Sequence, residues 1–324
     1  MADDVWPQLV FDATAEMVPE LEDMLFAAGA LSIILADNQN QPVLEPAPGE
    51  VRLWHSLRVT GLFAREDSAQ AILQRCNEIS AGPLPQYRFE NLPDEEWEKS
   101  WMAHFKAMQF GEHLWVVPSH VEVPQNSALS IRLDPGLAFG SGTHPTTALC
   151  LEWLSGLIDD SNVDTAKILQ GKTVIDYGCG SGILAIAAAM LGASRVMAVD
   201  IDPQALLASR ENAQQNAVND LIETLTPEQL KAQYPQIEAD LLLANILFNP
   251  LLMLASEFAG LLAPNGRLVA SGILADQVDA LMLHYTKWFI PETTRSVDGW
   301  SLLQCRSDAE SLKTGRKPVP DLTR

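Results

Sequence analysis

A glycine-rich loop between two acidic residues is the part of this chain best suited to bind a small ligand. Residues 178–182 have the pattern G-x-G-x-G and follow an apolar strand that contains Asp176. A second apolar strand ends at Asp200, 22 positions after Gly178, which leaves room for one helix and a turn. In such a strand–loop–helix–strand unit, the acid at the tip of the second strand meets the ribose diol of a nucleoside ligand. Glycine lets the backbone approach that ligand because it lacks Cβ.

The details of the loop favour S-adenosylmethionine over a dinucleotide. A dinucleotide loop has the pattern G-x-G-x-x-G and places a pyrophosphate at a helix N-terminus. This loop is shorter, and the carboxylate of Asp176 would be unfavourable beside a diphosphate but favourable beside an ammonium group. We therefore predict S-adenosylmethionine as the cofactor, with Asp176, Gly178, Gly180 and Asp200 in its site.

A second loop, at residues 134–147, is also predicted to form a wall of the ligand pocket. Its sequence, DPGLAFGSGTHPTT, is too long and too rich in glycine for a plain connection between a strand and a helix. It contains one aromatic residue, Phe139, which we place at the cofactor site. Thr146 or Thr147 is predicted to cap the apolar helix that follows.

Composition limits the classes of function. The net charge of −21, from 21 basic and 42 acidic residues, argues against direct binding to nucleic acid. No apolar run reaches the roughly 18 residues of a membrane span, and the N-terminus does not resemble a signal peptide. The four cysteines are far apart and form no metal-binding pattern. We expect a cytoplasmic monomer without a metal ion.

The first 92 residues are predicted to form a separate ferredoxin-like domain. Their elements follow the order β-α-β-β-α-β of that fold. Thr14 is predicted to cap the first helix and Gly29 to end it. The predicted strands cover residues 9–11, 31–35, 56–63 and 86–92, and the predicted helices cover residues 15–28 and 67–79.

The rest of the chain has the pattern of a doubly wound α/β domain. Residues 93–122 are predicted to connect the two domains through a helix over residues 94–108, with Trp97, Trp101, Phe105 and Met108 on one face. Residues 123–306 alternate strands and helices and end in a hairpin at Asp298-Gly299, as in a seven-stranded methyltransferase sheet. We expect residues 307–324 to be disordered. Residues 158–170 look like an insertion between a helix and the strand that follows it.

Four segments together resemble the bacterial ribosomal protein L11 methyltransferase family. These are the 134–147 loop, the 176–182 loop, Asp200 and the strand end Asn245-Ile246-Leu247. The resemblance covers nearly the whole chain, including the tryptophan-rich connection. It implies a class I S-adenosylmethionine-dependent methyltransferase that modifies lysine side chains and the N-terminal α-amine of ribosomal protein L11. It also implies that the N-terminal domain binds this ribosomal protein.

The resemblance also implies roles for single residues. Asp200 should hold the ribose hydroxyls, Gly178 should line the cofactor, and Thr147 should contact it. Asn245 should face both the cofactor and the incoming amine, where its carbonyl oxygen can accept N–H bonds. A lysine must first lose a proton from a pKa near 10.4. His144 is one possible base, although it could equally pack within its loop, and water could take the proton instead.

Two other functions are compatible with this pattern. A methyltransferase for glutamine or for a small molecule is one, but the glutamine-directed enzymes would prefer Asn-Pro-Pro-Tyr where this chain has Asn-Ile-Leu-Phe at 245–248. The other is a binding module that keeps the fold without catalysis. Gly178, Asp200 and Asn245 are all present, which argues against that reading.

Overall fold

The computed structural model of the protein describes residues 5–38, 54–80, 82–93, 106–124, 128–134, 140, 142–158 and 167–308. The chain divides into two compact units, Met1–Trp101 and Met102–Arg324. Among the described residues, no helix has both the length and the apolar character needed to cross a bilayer. Residues 94–105 of the predicted connecting helix, Phe139 and residues 309–324 of the predicted tail lie outside these residues, as does most of the predicted insertion. Met108, where the connecting helix was predicted to end, instead begins a strand, and Ser307, where the tail was predicted to begin, ends one.

The N-terminal unit has the predicted ferredoxin-like order of elements. Its four strands form an antiparallel sheet in the order β2-β3-β1-β4. The helices bury Leu25 and Ile72 against Leu9, Phe11 and Leu57 of the sheet. The elements are β1 (Val5–Ala13), a 3-10 turn (Ala15–Met17), α1 (Val18–Ala27), β2 (Ser32–Asp37), β3 (Leu57–Leu62), α2 (Ala69–Ile79) and β4 (Tyr87–Pro93).

The start of the first helix differs from the prediction. Thr14 makes no cap hydrogen bond through its side chain, and the chain enters α1 through the 3-10 turn. Pro19, in the first turn of α1, favours the start of the helix instead. N–H groups in the first turn have no partner within a helix, so proline loses no hydrogen bond at this position. Gly29 has φ +94°, which agrees with its predicted role at the end of the helix.

The second unit contains a seven-stranded sheet in the order β10-β9-β8-β11-β12-β14-β13. All neighbouring strands are parallel except β14, which is antiparallel to both β12 and β13. This is the predicted doubly wound sheet with a terminal hairpin. The strands are β8 (Thr173–Tyr177), β9 (Arg195–Val199), β10 (Ile222–Leu225), β11 (Ala239–Asn245), β12 (Leu262–Leu274), β13 (Phe289–Val297) and β14 (Trp300–Ser307).

Helices cover both faces of this sheet. Two hydrophobic cores result. One contains the helix that begins at Ile183, whose residues from Ile183 to Ala189 are all buried, and the other contains Phe258, Tyr285 and Phe289. A helix that is apolar all round requires burial on every side. The helices are α3 (Pro145–Ser155), α4 (Ile183–Met190), α5 (Pro203–Gln215), α6 (Pro227–Gln233), α7 (Phe248–Leu261) and α8 (Val278–Tyr285).

A small three-stranded sheet precedes the large one and belongs to the same unit. It consists of β5 (Met108–Phe110), β6 (Leu114–Val117) and β7 (Leu129–Arg132), in that order. Asn216, after α5, fixes this sheet through its side-chain amide, which accepts from the Arg132 N–H and donates to the Arg132 carbonyl, both at 2.7 Å. The second unit therefore begins earlier than the predicted boundary at residue 123.

This boundary predicts how the chain can be shortened. A chain that begins at residue 106 should unfold cooperatively, whereas one that begins at residue 123 should not fold stably. The second deletion removes the buried side chains of Phe110, Leu114, Val116 and Val117. Burying side chains of this size contributes about 1.5 to 3 kcal/mol each, against a total domain stability of about 5 to 15 kcal/mol. Urea denaturation followed by circular dichroism measures both, and equal midpoints would refute the assignment.

Candidate cofactor and acceptor site

The glycine loop lies at the carboxyl end of β8 and folds back onto β9. Gly178, Gly180 and Gly182 have φ of +80°, +53° and +78°, a region that glycine adopts without strain. The N–H groups of Gly178 and Cys179 donate to the carbonyl of Val199, at 2.7 and 3.0 Å. The loop therefore lies beside β11, at the point where the strand order reverses and where open α/β sheets bind ligands.

Asp200 joins the glycine loop to the next helix. Its Oδ2 accepts from the Gly180 N–H and its Oδ1 accepts from the Asp202 N–H, both at 3.0 Å. Asp202 caps α5: its side chain accepts from the Gln204 N–H, and Pro203 stands in the first turn. Each Asp200 oxygen retains a second lone pair, so the carboxylate can still accept from two hydroxyl groups.

Asp176 is fully buried beneath the loop. Its Oδ2 accepts from the Ala185 N–H at 3.0 Å, whereas Oδ1 has no hydrogen-bond partner among the described residues. Burial raises the pKa of Asp176, the Ala185 N–H opposes this rise, and the negative charge of Asp200 adds to it, so that the pKa is about 7. A buried carboxyl of this kind requires either a proton or a nearby cation.

The 134–147 loop is fixed to the glycine loop at Gly140. The hydroxyl of Ser181 donates to the Gly140 carbonyl at 2.7 Å. Gly140 and Gly142 have φ of +102° and +92°, and a Cβ on Gly142 would lie 3.2 Å from the ring of Phe110 in β5. Gly140 and Gly142 therefore lie between the small sheet and the glycine loop.

The helix after this loop is capped by His144, and the predicted cap at Thr146 or Thr147 is wrong. The His144 Nδ1 accepts from the Thr146 N–H at 3.3 Å and lies 2.7 Å from the Thr146 hydroxyl. Pro145 occupies the first turn, so the cap falls one residue before it. The His144 ring stacks edge-on against Trp300 at 4.8 Å, and burial lowers the pKa of His144.

Asn245 and Thr147 meet at the carboxyl end of β11. The Asn245 Nδ2 donates to the Thr147 hydroxyl at 3.1 Å, and Thr147 is buried. This bond uses one Asn245 N–H and leaves the amide oxygen as an acceptor. Two residues 98 positions apart in the chain thus lie side by side next to the glycine loop.

Comparison with known proteins identifies the family. A family model described as ribosomal protein L11 methyltransferase (PrmA) matches residues 5–308. The chain belongs to this family. Two similar proteins are named ribosomal protein L11 methyltransferase. The one from Tolumonas auensis is 45% identical over 94% of this chain and 98% of its own length. The one from Nitrosococcus oceani is 46% identical over 92% of this chain and 98% of its own length. A solved ribosomal protein L11 methylase from Lactobacillus delbrueckii subsp. bulgaricus is 30% identical, with a TM-score of 0.52, over 63% of this chain and all of that one.

Membership of the family agrees with the predicted fold class and with the resemblance found in the sequence. Several residues around the loop were nevertheless missed. Ser209 and Asn212, three apart on α5, donate to the carbonyls of Gly180 and Ser181 at 2.9 and 2.8 Å. Their helical spacing after the Asp202 cap was the available signal. Ile201 was also not predicted as a candidate residue. It directly follows Asp200 and is 82% exposed.

The buried carboxyl of Asp176 predicts a pH-dependent stability. Its folded-state pKa lies above its unfolded value of 3.8, so the wild-type protein loses stability as pH rises from about 4 to about 7. The variant Asp176→Asn has no such loss. The free energy of unfolding of the variant relative to wild type should therefore rise over this window, by on the order of 4 kcal/mol, and level off above pH 7.

Urea denaturation without cofactor at several pH values measures this difference. The control is Asp202→Asn, which removes an exposed carboxyl nearby and keeps a good helix cap. A difference for Asp176→Asn that does not change with pH would show that folding does not raise the pKa of this carboxyl.

Proposed function

We propose that this protein transfers methyl groups from S-adenosylmethionine to amines of ribosomal protein L11, namely lysine side chains and the N-terminal α-amine. Membership of the family and the names of the relatives support the reaction and the substrate. The observation that carries the proposal is the Asn245–Thr147 hydrogen bond beside the glycine loop. It presents an amide oxygen, suited to orienting an amine, at the place where this fold binds its cofactor.

The chain offers a matching group for each part of the cofactor. Asp200 would accept from the ribose hydroxyls with its two remaining lone pairs, and Gly178 and Gly180 would line the cofactor through their backbone. The unpaired Oδ1 of Asp176 would face the ammonium group, which would remove the cost of burying that charge. The exposed side chain of Ile201 would cover the adenine ring. Phe139 and Thr147 would contribute from the second loop.

The reaction needs alignment more than it needs a strong base. When bound, S-adenosylmethionine supplies a methyl group on a positively charged sulfur. A neutral amine must lie about 3 Å from that carbon and in line with the bond that breaks. The Asn245 oxygen would hold the amine through its N–H bonds and leave the lone pair directed at the methyl group.

His144 would position the site and would not take the proton from the amine. Its Nδ1 lone pair points at the Thr146 N–H, which places the proton of the neutral ring on Nε2. A lone pair used in a helix cap is not available to a substrate ammonium group. Burial lowers the pKa of His144, which further disfavours protonation. Release of the proton to water is consistent with this geometry.

The protein substrate would be recognised through charge and through the N-terminal unit. Ribosomal proteins are generally basic because they bind RNA, and this chain carries a net charge of −21. The N-terminal unit is a separately packed module without a proposed catalytic residue, as expected for a recognition domain. We place the reaction in the cytoplasm, where ribosomal proteins are made.

The cofactor site is tested first by Asp200→Ala. This variant should bind S-adenosylmethionine about 5- to 150-fold more weakly, since charge-assisted bonds to the ribose contribute about 1 to 3 kcal/mol. Isothermal titration calorimetry measures the affinity. Asp202→Asn serves as the control and should bind within a few-fold of wild type. An unchanged affinity for Asp200→Ala in a folded protein excludes Asp200 from the site.

The reaction itself is tested with labelled cofactor and purified ribosomal protein L11. We expect methyl groups on lysine and on the N-terminal α-amine, located by peptide mass spectrometry. The rate should rise between about pH 7 and pH 9 because a lysine with a pKa near 10.4 becomes more often neutral. The variant His144→Ala should keep this pH dependence, although loss of a cap costs about 1 kcal/mol of stability. Methyl groups found only on glutamine, carboxylates or RNA would refute the proposed function.

A further inference from the structure

We propose that Ile246 is a positioning residue for methyl transfer, held by two glycines, one in the loop after β8 and one in β12. Its side chain lies against Gly178 and its carbonyl group lies against Gly272. Because Ile246 directly follows Asn245, these two contacts fix the place of the Asn245 amide. The inference rests on the proposed role of Asn245 in orienting the acceptor amine.

The first contact fills the space that Gly178 leaves empty. A Cβ on Gly178 would overlap the Cγ2 methyl group of Ile246, while the Ile246 Cβ lies 3.8 Å away. Gly178 cannot move aside easily, since its N–H donates to the Val199 carbonyl at 2.7 Å. The atom nearest to the position of a Cβ on Gly178 is thus the Ile246 Cγ2 methyl group. We infer that Gly178 is required for the packing of the Ile246 side chain as well as for the approach of a cofactor.

The second contact depends on a bulge in β12. The pairing of β12 with β14 shifts register between Ser271 and Ile273, so Gly272 is the extra residue. Gly272 has φ +90°, and a Cβ there would overlap the Ile246 carbonyl oxygen and lie 2.7 Å from its carbonyl carbon. The bulge is held in place by the buried Ser271, whose hydroxyl donates to the Ser301 carbonyl at 3.0 Å. Bulges often redirect a strand next to an active site.

The two contacts act on the residue that presents the proposed acceptor group. Ser271, directly before Gly272, is the partner of Asn245 in the β11–β12 pairing. Any shift of the Ile246 backbone therefore displaces Asn245 relative to Thr147, to which it donates at 3.1 Å. Displacements of about 1 Å are enough to reduce catalysis about a hundredfold when the rate depends on alignment. Cofactor contacts at Asp200 lie on another strand and should change less.

The main test is Gly272→Ala. We expect kcat per folded molecule to fall at least about tenfold, with the affinity for S-adenosylmethionine within about threefold of wild type. The matched controls are Gly171→Ala and Gly299→Ala. These glycines have φ of +78° and +81° but no atom within 4 Å of an added Cβ, so they carry the backbone strain without the collision. If kcat of Gly272→Ala matches that of the controls, the inference is wrong.

The side-chain contact is tested separately, and this test does not depend on Gly272→Ala being folded. Ile246→Val keeps the Cγ2 methyl group and should retain kcat, whereas Ile246→Ala removes it and should lower kcat. Equal kcat values for these two variants overturn the inference. A wild-type protein that binds the cofactor but methylates no amine in the same assay would instead refute the proposed function.

A double substitution gives a readout that needs no turnover. Gly178→Ala should lower both the unfolding midpoint and the affinity for S-adenosylmethionine. Adding Ile246→Ala makes room for the new Cβ, so the double variant should recover part of both losses. Ile246→Ala should not rescue Gly272→Ala, because the obstacle there is main chain. Failure of the first rescue, or success of the second, contradicts the proposed contacts.

Discussion

The Asp200 carboxylate accepts hydrogen bonds from the main chain on both of its sides, and the proposed cofactor site depends on that arrangement. One oxygen holds the Gly180 N–H and the other holds the Asp202 N–H. The glycine loop and the start of α5 are thereby fixed to the end of β9. Ser209 and Asn212 of α5 then bond the loop carbonyls, so the loop is held from its N–H groups and from its carbonyl groups. A binding loop supported in this way needs little reorganisation when a ligand arrives.

The same edge of the sheet is also shaped by close approach of main chain to main chain. Gly178 directly follows β8 and Gly272 lies in β12, the two strands that flank β11, and the segment after Asn245 passes between these glycines. A side chain at either position would collide with Ile246. The glycines therefore serve packing within the protein in addition to any contact with a cofactor. This explains why a single glycine pattern is weak evidence for a ligand until its neighbours are known.

The small sheet and the 134–147 loop connect the site to the rest of the second unit. β7 is bonded to the end of α5 through Asn216, and the loop is bonded to Ser181 through Gly140. The loop then enters α3 through the His144 cap, which brings Thr147 to Asn245. Residues before the predicted boundary at 123 thus help to build the second unit, because β5 and β6 complete the sheet that precedes this loop.

The sequence by itself determined the family and most of the order of elements. Long apolar segments such as α4, strong caps such as Asp202-Pro203 and the Asp298-Gly299 turn are local signals, because helices and hairpins are fixed by residues near one another. The short edge strand β10 and helix α6 were missed, although Thr226 and Gln229 form a capping box. Only the tertiary structure decided that His144 caps α3, that Asp176 keeps an unpaired oxygen and that Ile246 lies between two glycines. The first depends on a side-chain rotamer, the second on the burial of the carboxyl, and the third on contacts between segments that are distant in the chain. No local pattern encodes such contacts.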